Sequence, residues 1–463
     1  MPDSFSMKNF QFDKDRRTIL ILGTVSVPIY LSIALMGDLR FKLPLFFALF
    51  ACAFVAYSIP VFLETRNSGQ HRESTPITGL IIIFAAIFRG VMLVDFPHLS
   101  DDIYRYLWDA HVWASGINPY IYAPSDATLS HLQWVPYHKL INHADIPTIY
   151  APVYQFLFQV SYCLGNTILS LKIVIAAFEI GTIFILKKLL ELRRLNSALV
   201  LIYAWNPLVI LETAGSGHLD GVGVFFIMLT FYLWWGDRKG WAIVALALAV
   251  LTKFIALMLL PFYLLKLCRR ERLKAIVIFL LVVVAAYLPF AGAGVKLVEA
   301  LMVYTAKWAF NASIFGVVLA LFSYVDPGMP LSENLFYSKV LLAAAFLALY
   351  GLLLYRYKRS QANVFADPVF IWLVLFGALC IISPTLHPWY LIWIIPALCF
   401  YPSRAWICLS GLIIFSYWVL KKYALEGIWE ESIWLKVAIF LPFYAMLFYE
   451  CLRVNKLKCE DAH

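Results

Sequence analysis

The sequence predicts an all-α protein, a polytopic transmembrane helical bundle in which residues 1–463 form a single membrane-embedded domain. Of these residues 62% are hydrophobic and only 14% are charged, with a mean hydropathy of +0.79, whereas a soluble domain carries about a quarter charged residues. Apolar stretches also recur at close to the ~20 residues that cross a bilayer. The bilayer thus accounts for the composition, and the net charge of +9 requires no nucleic acid as a partner.

The apolar stretches divide the chain into candidate spans that begin close to the amino terminus. Because several of them are short, we expect about 12 to 14 spans. The candidates in chain order are residues 18–36, 43–63, 76–96, 168–186, 198–213, 222–236, 241–252, 254–267, 274–291, 337–355, 367–383, 388–400, 405–420 and 433–451.

The basic residues predict the orientation, since Lys and Arg are retained on the cytoplasmic side. With the amino terminus inside, the inner segments hold 24 basic residues and the outer segments eight, which favours two cytoplasmic termini. Residues 151–165 are apolar, but a span there would move the basic cluster at 187–194 outside. We therefore expect residues 97–167 to form a large external catalytic loop region after the third span, and residues 292–336 a second external region.

The first external region opens with an unusual concentration of charge, the segment from Ser100 to Asp109. Ser100 suits a helix N-cap, and Asp101 and Asp102 would then gain from the helix dipole without any chemical role. Capping leaves the remaining pattern unexplained. Asp102 and Asp109 share one helical face with two aromatic residues, while Asp101 and Arg105 have the spacing of an ion pair. Such a face suits a hydroxyl-rich ligand.

Three polar islands interrupt later apolar stretches, and the predicted topology places all of them outside. Each has an ordinary structural explanation, such as a snorkelling lysine, a histidine in a turn or an interfacial histidine. Because the predicted topology places all three on the same side of the membrane, we nevertheless expect them to form one site. The islands are residues 215–221 with His218 and Asp220, residues 252–253 with Lys253, and residues 383–390 with His387, Trp389 and Tyr390.

With these segments the chain resembles the GT-C glycosyltransferases, which are polytopic enzymes that use polyprenyl-phosphate sugars, and in particular their mannosyltransferase-like members. The resemblance is spread over most of the length. Many relatives space the acids as Asp-x-Asp or Asp-x-Glu, whereas Asp101 and Asp102 adjoin, so the resemblance does not choose between them. The matching stretches are residues 100–109, 116–120, 150–152, 214–220, 251–253, 310–313 and 387–390.

The resemblance implies an inverting transfer of a hexose, with mannose as the expected sugar, to an extracytoplasmic glycan, glycolipid or protein acceptor. Asp101 or Asp102 would be the general base. Arg105, Lys253 and His387 would bind the donor phosphate. Since cations can carry the phosphate charge, no metal is required, although Asp101, Asp102 and Asp220 could bind one. The resemblance favours transfer without a metal, and we expect no other cofactor. The sugar and the acceptor would contact Asp109, His218, Asp220, Trp389 and Tyr390.

Two other classes are compatible with a polytopic chain. A transporter or lipid-linked-sugar flippase typically places ionisable residues near the bilayer midplane and shows internal repeats. Here most candidate residues lie at one boundary and no repeat is visible, although Arg89 falls inside the third span. A membrane O-acyltransferase with a histidine base is a further enzyme alternative.

Overall fold

The computed structural model describes residues 4–66, 75–307, 309–360 and 363–460. Within these ranges the regular structure is helical, and the one extended pairing is an isolated bridge between Phe310 and Thr385. The prediction of an all-α fold is confirmed.

Nineteen α-helices follow one another in the described ranges, with short 3₁₀ segments and one π-helical turn, Leu211–Gly215, between some of them. The helices are α1 (Ser4–Ala34), α2 (Leu43–Arg66), α3 (Thr75–Met92), α4 (Asp102–Ala114), α5 (Pro152–Cys163), α6 (Ile168–Leu192), α7 (Leu201–Ala204), α8 (Pro207–Ile210), α9 (Asp220–Trp235), α10 (Lys239–Val250), α11 (Leu260–Leu265), α12 (Arg269–Tyr287), α13 (Lys296–Lys307), α14 (Ile314–Val325), α15 (Leu331–Arg359), α16 (Pro368–Ile382), α17 (Arg404–Leu412), α18 (Val419–Glu426) and α19 (Ile433–Glu460). The 3₁₀ segments are Leu39–Phe41, Ala127–Leu132, Pro136–Leu140, Ser197–Val200, Phe254–Leu259, Leu288–Ala293, Val364–Ala366, Pro388–Trp393, Ile395–Cys399 and Ile413–Trp418.

Seven helical segments in the described ranges are long and apolar enough to cross a membrane, and a bent pair, Ser197–Ala204 with Pro207–Gly215, raises the number to eight. The expected 12 to 14 spans are not confirmed. Several of the other apolar stretches fold into helices of 10–17 residues. A helix rises ~1.5 Å per residue, so a 12-residue helix covers about 18 Å of a ~30 Å hydrocarbon core.

The main apolar core joins α1, α2 and α3 to the helices from α6 to α11 and to the 3₁₀ segments after His387. Arg89 lies inside it, 1% exposed, and its guanidinium contacts Glu179 at 3.2 Å. Tyr203 donates a hydrogen bond of 2.6 Å to the same carboxylate. The charge of Arg89 is thus paired between helices, because an unpaired charge is costly in the apolar interior of the bundle.

The segment from residue 97 to 167 has its own smaller core, built by α4, α5 and the intervening 3₁₀ segments. α5 has 12 residues, which is too short to cross a bilayer. Its first turn is tied to the bundle, because Val153 N donates to Leu251 O at 3.2 Å and the Tyr154 hydroxyl donates to Leu219 O at 3.3 Å. The segment therefore covers one end of the helical bundle.

Gly217 lies at the junction of this cover with the bundle. Its backbone has a φ of +78°, and a Cβ placed there would come within 2.7 Å of Ile103 Cδ1 in the first turn of α4. Only glycine adopts such a conformation at no steric cost. The turn between Gly215 and Asp220 can therefore approach α4 closely.

We expect Gly217→Ala to lower the unfolding free energy by about 1–2 kcal/mol, because the left-handed backbone then acquires a side chain. Gly351→Ala is the matched control, since Gly351 lies within α15 with no neighbour within 4 Å of its Cβ position. That control should be neutral or slightly stabilising. Thermal unfolding in detergent compares the two variants, and equal melting temperatures would contradict the close contact at Gly217.

Candidate active site

Several helix ends that carry polar residues meet at one end of the bundle. Lys172, in the first turn of α6, donates from Nζ to Met92 O at 2.9 Å and to Asp95 O at 2.6 Å, just after α3 ends. A Cβ at Gly223 in α9 would lie 2.7 Å from Thr252 Oγ1, beyond the end of α10. Together with the contacts of α4 and α5, these bonds place residues 95–102, 215–220 and 251–253 around one site.

Asp220 and Lys253 form an ion pair at the centre of this end. Lys253 Nζ lies 2.6 Å from Asp220 Oδ1, and Trp393 Nε1 donates a hydrogen bond to the same oxygen. The ammonium group also lies 4.0 Å from the centre of the Tyr390 ring, a cation–π distance. Because the lysine side chain remains 30% exposed, its charge is oriented by the protein yet open to an anionic ligand.

A stack of four rings runs beside this ion pair. His218 lies on Trp389 with centroids 3.8 Å apart, Trp389 lies on His387 at 4.2 Å, and His387 lies on Phe310 at 4.8 Å. Phe310 is fixed by backbone hydrogen bonds to Pro384 and Leu386. Residues 292–336 thus contribute Phe310 to the same site as the segment at 383–390.

His387 is held in an apolar setting. Burial, with the nearby charges of His218 and Lys253, lowers the pKa of its imidazole. The ring is therefore neutral near pH 7, and it can serve a phosphate as a hydrogen-bond donor rather than as a cation.

Sequence reasoning missed Glu212, which is completely buried in the π-helical turn. The hydroxyl of Tyr417 lies 2.9 and 3.0 Å from its two carboxylate oxygens, and His218 Nδ1 lies 2.9 Å from Oε2. A signal was present in the sequence, since Glu212 is the one charged residue between positions 198 and 213. Both intramembrane acids and π-helical turns occur preferentially at functional sites.

The two adjacent acids face different neighbours. Asp102 accepts a hydrogen bond of 3.0 Å from Asn142, and its charge contributes to raising the pKa of His218 in the ring stack. Asp101 instead experiences the charges of Arg40 and Asp38, which follow α1. Burial raises the pKa of Asp101, and Arg40 partly offsets that increase. Of the two acids, Asp102 is thus the one whose charge reaches His218.

Capping does not account for the acidic pair. The Ser100 hydroxyl accepts a hydrogen bond of 3.3 Å from Asp102 N, whereas Asp101 precedes α4 without a side-chain capping bond. The first turn of α4 is thus served by Ser100, and the carboxylates remain available for other contacts.

Arg105 pairs with Asp109 rather than with Asp101, contrary to the spacing argument. Its Nε lies 3.0 Å from Asp109 Oδ1, and Gln155 donates to Oδ2 of the same carboxylate at 3.2 Å. Arg105 and Asp109 are 5% and 1% exposed. This pair is packed between α4 and α5, so the structure does not bring Asp109 or Arg105 to the surface of the site.

No group of three or more His, Cys, Asp or Glu side chains suited to a metal ion occurs in the part of the chain that the structure describes. The carboxylates of Asp101 and Asp220, which could together have suggested one, contact Arg40 electrostatically and Lys253 directly. Each of these acids is thus oriented by a cation of the protein.

Comparisons with known proteins indicate a class of enzyme for this helical membrane protein with its polar end. Residues 47–269 match the family described as alpha-(1->6)-mannopyranosyltransferase, N-terminal domain. The match includes Asp102, Glu212, His218, Asp220 and Lys253, and it supports a mannosyl transfer activity. The resemblance to mannosyltransferase-like membrane proteins is thereby confirmed. A comparison with curated proteins found no match.

We expect Asp109→Leu to lower the unfolding free energy by about 3–5 kcal/mol, because it leaves the Arg105 guanidinium buried without its counter-charge. The double variant Arg105→Met with Asp109→Leu should recover most of this loss, since an apolar pair needs no desolvation. Chemical denaturation in detergent measures both.

Asp145→Asn is the control, because Asp145 is an exposed acid of the same segment, residues 97–167, and should stay within about 0.5 kcal/mol of the unchanged protein. Loss of transfer activity in Asp109→Leu at unchanged stability would contradict a structural role and indicate direct sugar contact.

Proposed function

We propose that the protein is an inverting GT-C mannosyltransferase that transfers mannose from a polyprenyl-phosphate donor to a glycan, glycolipid or protein acceptor. The observation that carries the proposal is the meeting of Asp102, His218 and the Asp220–Lys253 pair at one end of the bundle. An acid, a cation and stacking rings are the groups that glycosyl transfer from a phosphate requires.

Asp102 is the general base in this proposal. Asn142 donates to Oδ1, which leaves Oδ2 for the hydroxyl group of the acceptor. That oxygen accepts the acceptor proton while the acceptor oxygen bonds to the anomeric carbon. The bond from the anomeric carbon to the phosphate oxygen breaks on the opposite face, and the configuration inverts. Asp101, which faces Arg40, orients the start of α4 rather than taking the proton.

Lys253 is the counter-charge for the leaving phosphate. Asp220 and Tyr390 hold its ammonium group from the protein side, so a phosphate meets a cation that is already positioned. The extra negative charge that develops on the phosphate oxygens is stabilised there without a metal ion. Trp389 and Tyr390 present rings on which the apolar face of a sugar can stack, and neutral His387 can donate a hydrogen bond.

Arg105 and Asp109 support this arrangement from behind. Their buried ion pair fixes α4 against Gln155 of α5 and thereby fixes the direction in which Asp102 points. We assign them to positioning rather than to contact with the donor phosphate or the sugar.

An apolar groove next to Lys253 suits the hydrocarbon tail of the donor. Its volume is about 500 Å³, and it lies between the residues that follow Lys253 and Tyr350 of α15. The tail would leave the phosphate at Lys253 and enter the groove directly. The residues that line it are Phe254, Leu257, Met258, Leu260, Pro261, Leu264 and Tyr350.

We place this end of the bundle on the extracytoplasmic side and both termini in the cytoplasm. The excess of Lys and Arg in the opposite connections supports the assignment. A water-soluble acceptor would then reach the site beneath α4 and α5.

Asp102→Asn should reduce kcat for mannosyl transfer by about 10²–10⁴-fold, because the acceptor proton loses its base. Asp101→Asn should have a clearly smaller effect, since that carboxylate faces Arg40. Purified protein in nanodiscs, supplied with radiolabelled polyprenyl-phosphate mannose and an acceptor, measures both.

Equal losses in the two variants would contradict the assignment of Asp102 as the base. Movement of the labelled donor across the bilayer without transfer to any acceptor would contradict the proposed mannosyltransferase activity and favour a flippase.

Leu257→Trp should fill part of the groove and raise KM for a long-chain donor by about tenfold, since losing contact with two methylene groups costs about 1.6 kcal/mol. A donor with a chain too short to reach the groove should be unaffected. Leu280→Trp is the control, because Leu280 is an exposed residue of α12 outside the groove. An equal KM increase for both donors would show that the groove does not hold the tail.

A further inference from the structure

Glu212 and His218 form a buried pair whose arrangement is not explained by packing. Glu212 is 0% and His218 is 1% exposed. The side chains meet at 2.9 Å between Oε2 and Nδ1, and His218 N also donates to Glu212 O at 2.8 Å. Glu212 therefore holds the histidine through both its side chain and its backbone, and stacking on Trp389 fixes the plane of the ring.

The carboxylate of Glu212 needs a counter-charge. Its described side-chain partners are the neutral hydroxyl of Tyr417 and the imidazole of His218. A buried carboxylate without a cation is costly, and such groups are paired or neutralised in proteins. Protonated His218 supplies the missing positive charge.

The two ring nitrogens of His218 differ in their contacts. Within the described residues neither makes a hydrogen bond, but Nδ1 lies in ion-pair contact with Glu212, whereas Nε2 is buried and has no ion-pair partner. The ring lies against Trp389, and the charges of Asp102 and Asp220 both act on it. The imidazole of His218 is therefore within electrostatic range of both the proposed base and Asp220.

We propose that Glu212 is a positioning residue that holds His218 as an imidazolium, whose Nε2–H donates to an anionic oxygen of the donor phosphate. The proposal rests on the mannosyl transfer from a polyprenyl phosphate proposed above. In the transfer step the acceptor proton passes to Asp102, and the phosphate leaves with a hydrogen bond from His218 and the charge of Lys253 beside it. His218 keeps its proton throughout, so the step needs no further acid.

The charges around His218 support its protonated form. Burial opposes the charge, but the hydrogen bond and charge of Glu212, followed by the charges of Asp102 and Asp220, raise the pKa of His218 above its usual value. The groups that face it from the other packed elements are His387, Trp389 and, through Glu212, Tyr417. His387 is neutral, so the acids dominate the surroundings.

The first test is the pH dependence of kcat/KM with polyprenyl-phosphate mannose. His218 loses its proton as the pH rises through its pKa. We therefore expect kcat/KM to fall on the alkaline side of its pH profile, and this fall is the alkaline limb. Glu212→Gln should move this limb to lower pH by about 1–3 units, because an opposing charge within contact distance is removed. His218→Gln, which keeps a neutral donor, should retain part of the activity without this limb.

Glu179→Gln is the matched control, since Glu179 is the other completely buried acid of the bundle and pairs with Arg89. It should lower stability but leave the alkaline limb in place. If the alkaline limb does not move in Glu212→Gln, Glu212 has only a structural role. If the acidic limb shifts instead, His218 acts as a base in its neutral form. Either result overturns the proposal.

The second test separates this proposal from the proposed function. Nitrogen-15 spectra of histidine-labelled protein, with the His218 signal assigned by its loss in His218→Gln, report protonation without any substrate. We expect both ring nitrogens of His218 to be protonated at pH 7 in the unchanged protein and the ring to be neutral in Glu212→Gln.

A neutral His218 in the unchanged protein would contradict the proposal that Glu212 keeps His218 protonated, even if mannosyl transfer is confirmed. The spectrum of the unchanged protein alone provides this test if Glu212→Gln does not fold. Conversely, absence of transfer with the expected spectra would overturn the donor assignment alone.

Discussion

Charge in an apolar bundle has to be balanced inside the protein, and this constraint shapes the structure described here. Away from water a lone carboxylate or ammonium group is expensive, so each buried charge needs a partner. Arg89 meets Glu179 and Asp220 meets Lys253 across different segments, whereas Glu212 meets His218 within one turn. The first two pairs therefore also specify how two segments pack.

The three pairs differ in what they leave open. Arg89 and Glu179 satisfy one another with help from Tyr203 and the carbonyl of Ala204, which is the pattern of a structural pair. Lys253 remains partly exposed beside Asp220. His218 contacts Glu212 through Nδ1, and its buried Nε2 has no hydrogen-bond partner in the described chain. The charges become more available toward the end of the bundle that α4 and α5 cover.

The site also combines parts of the chain with different origins in sequence. Residues 47–269 match a mannosyltransferase family, whereas His387, Trp389 and Phe310 come from later segments. Stacking of His218 on Trp389 and of His387 on Phe310 joins the two parts. Because rings stack at fixed distances, these contacts set the width of the site as well as its polarity.

The sequence by itself determined the class of the molecule. Composition and apolar lengths were enough for a helical membrane protein, because every backbone polar group in a bilayer has to be satisfied within a helix or a closed sheet. The count of basic residues predicted that the polar segments lie on one side of the membrane. The structure brings His218, Asp220, Lys253 and His387 together at one end of the bundle.

Only the tertiary structure decided which residues meet. Asp101 and Asp102 are adjacent in sequence, yet successive helical positions point about 100° apart, so one faces Arg40 and the other faces His218. Arg105 has an acid four positions away on either side, and it pairs with Asp109, whose second carboxylate oxygen accepts a hydrogen bond from Gln155. Glu212 depends on Tyr417, 205 positions away. Helical periodicity predicts neighbours within a turn or two. Contacts between different helices depend on how the helices pack, and local sequence patterns do not predict that packing.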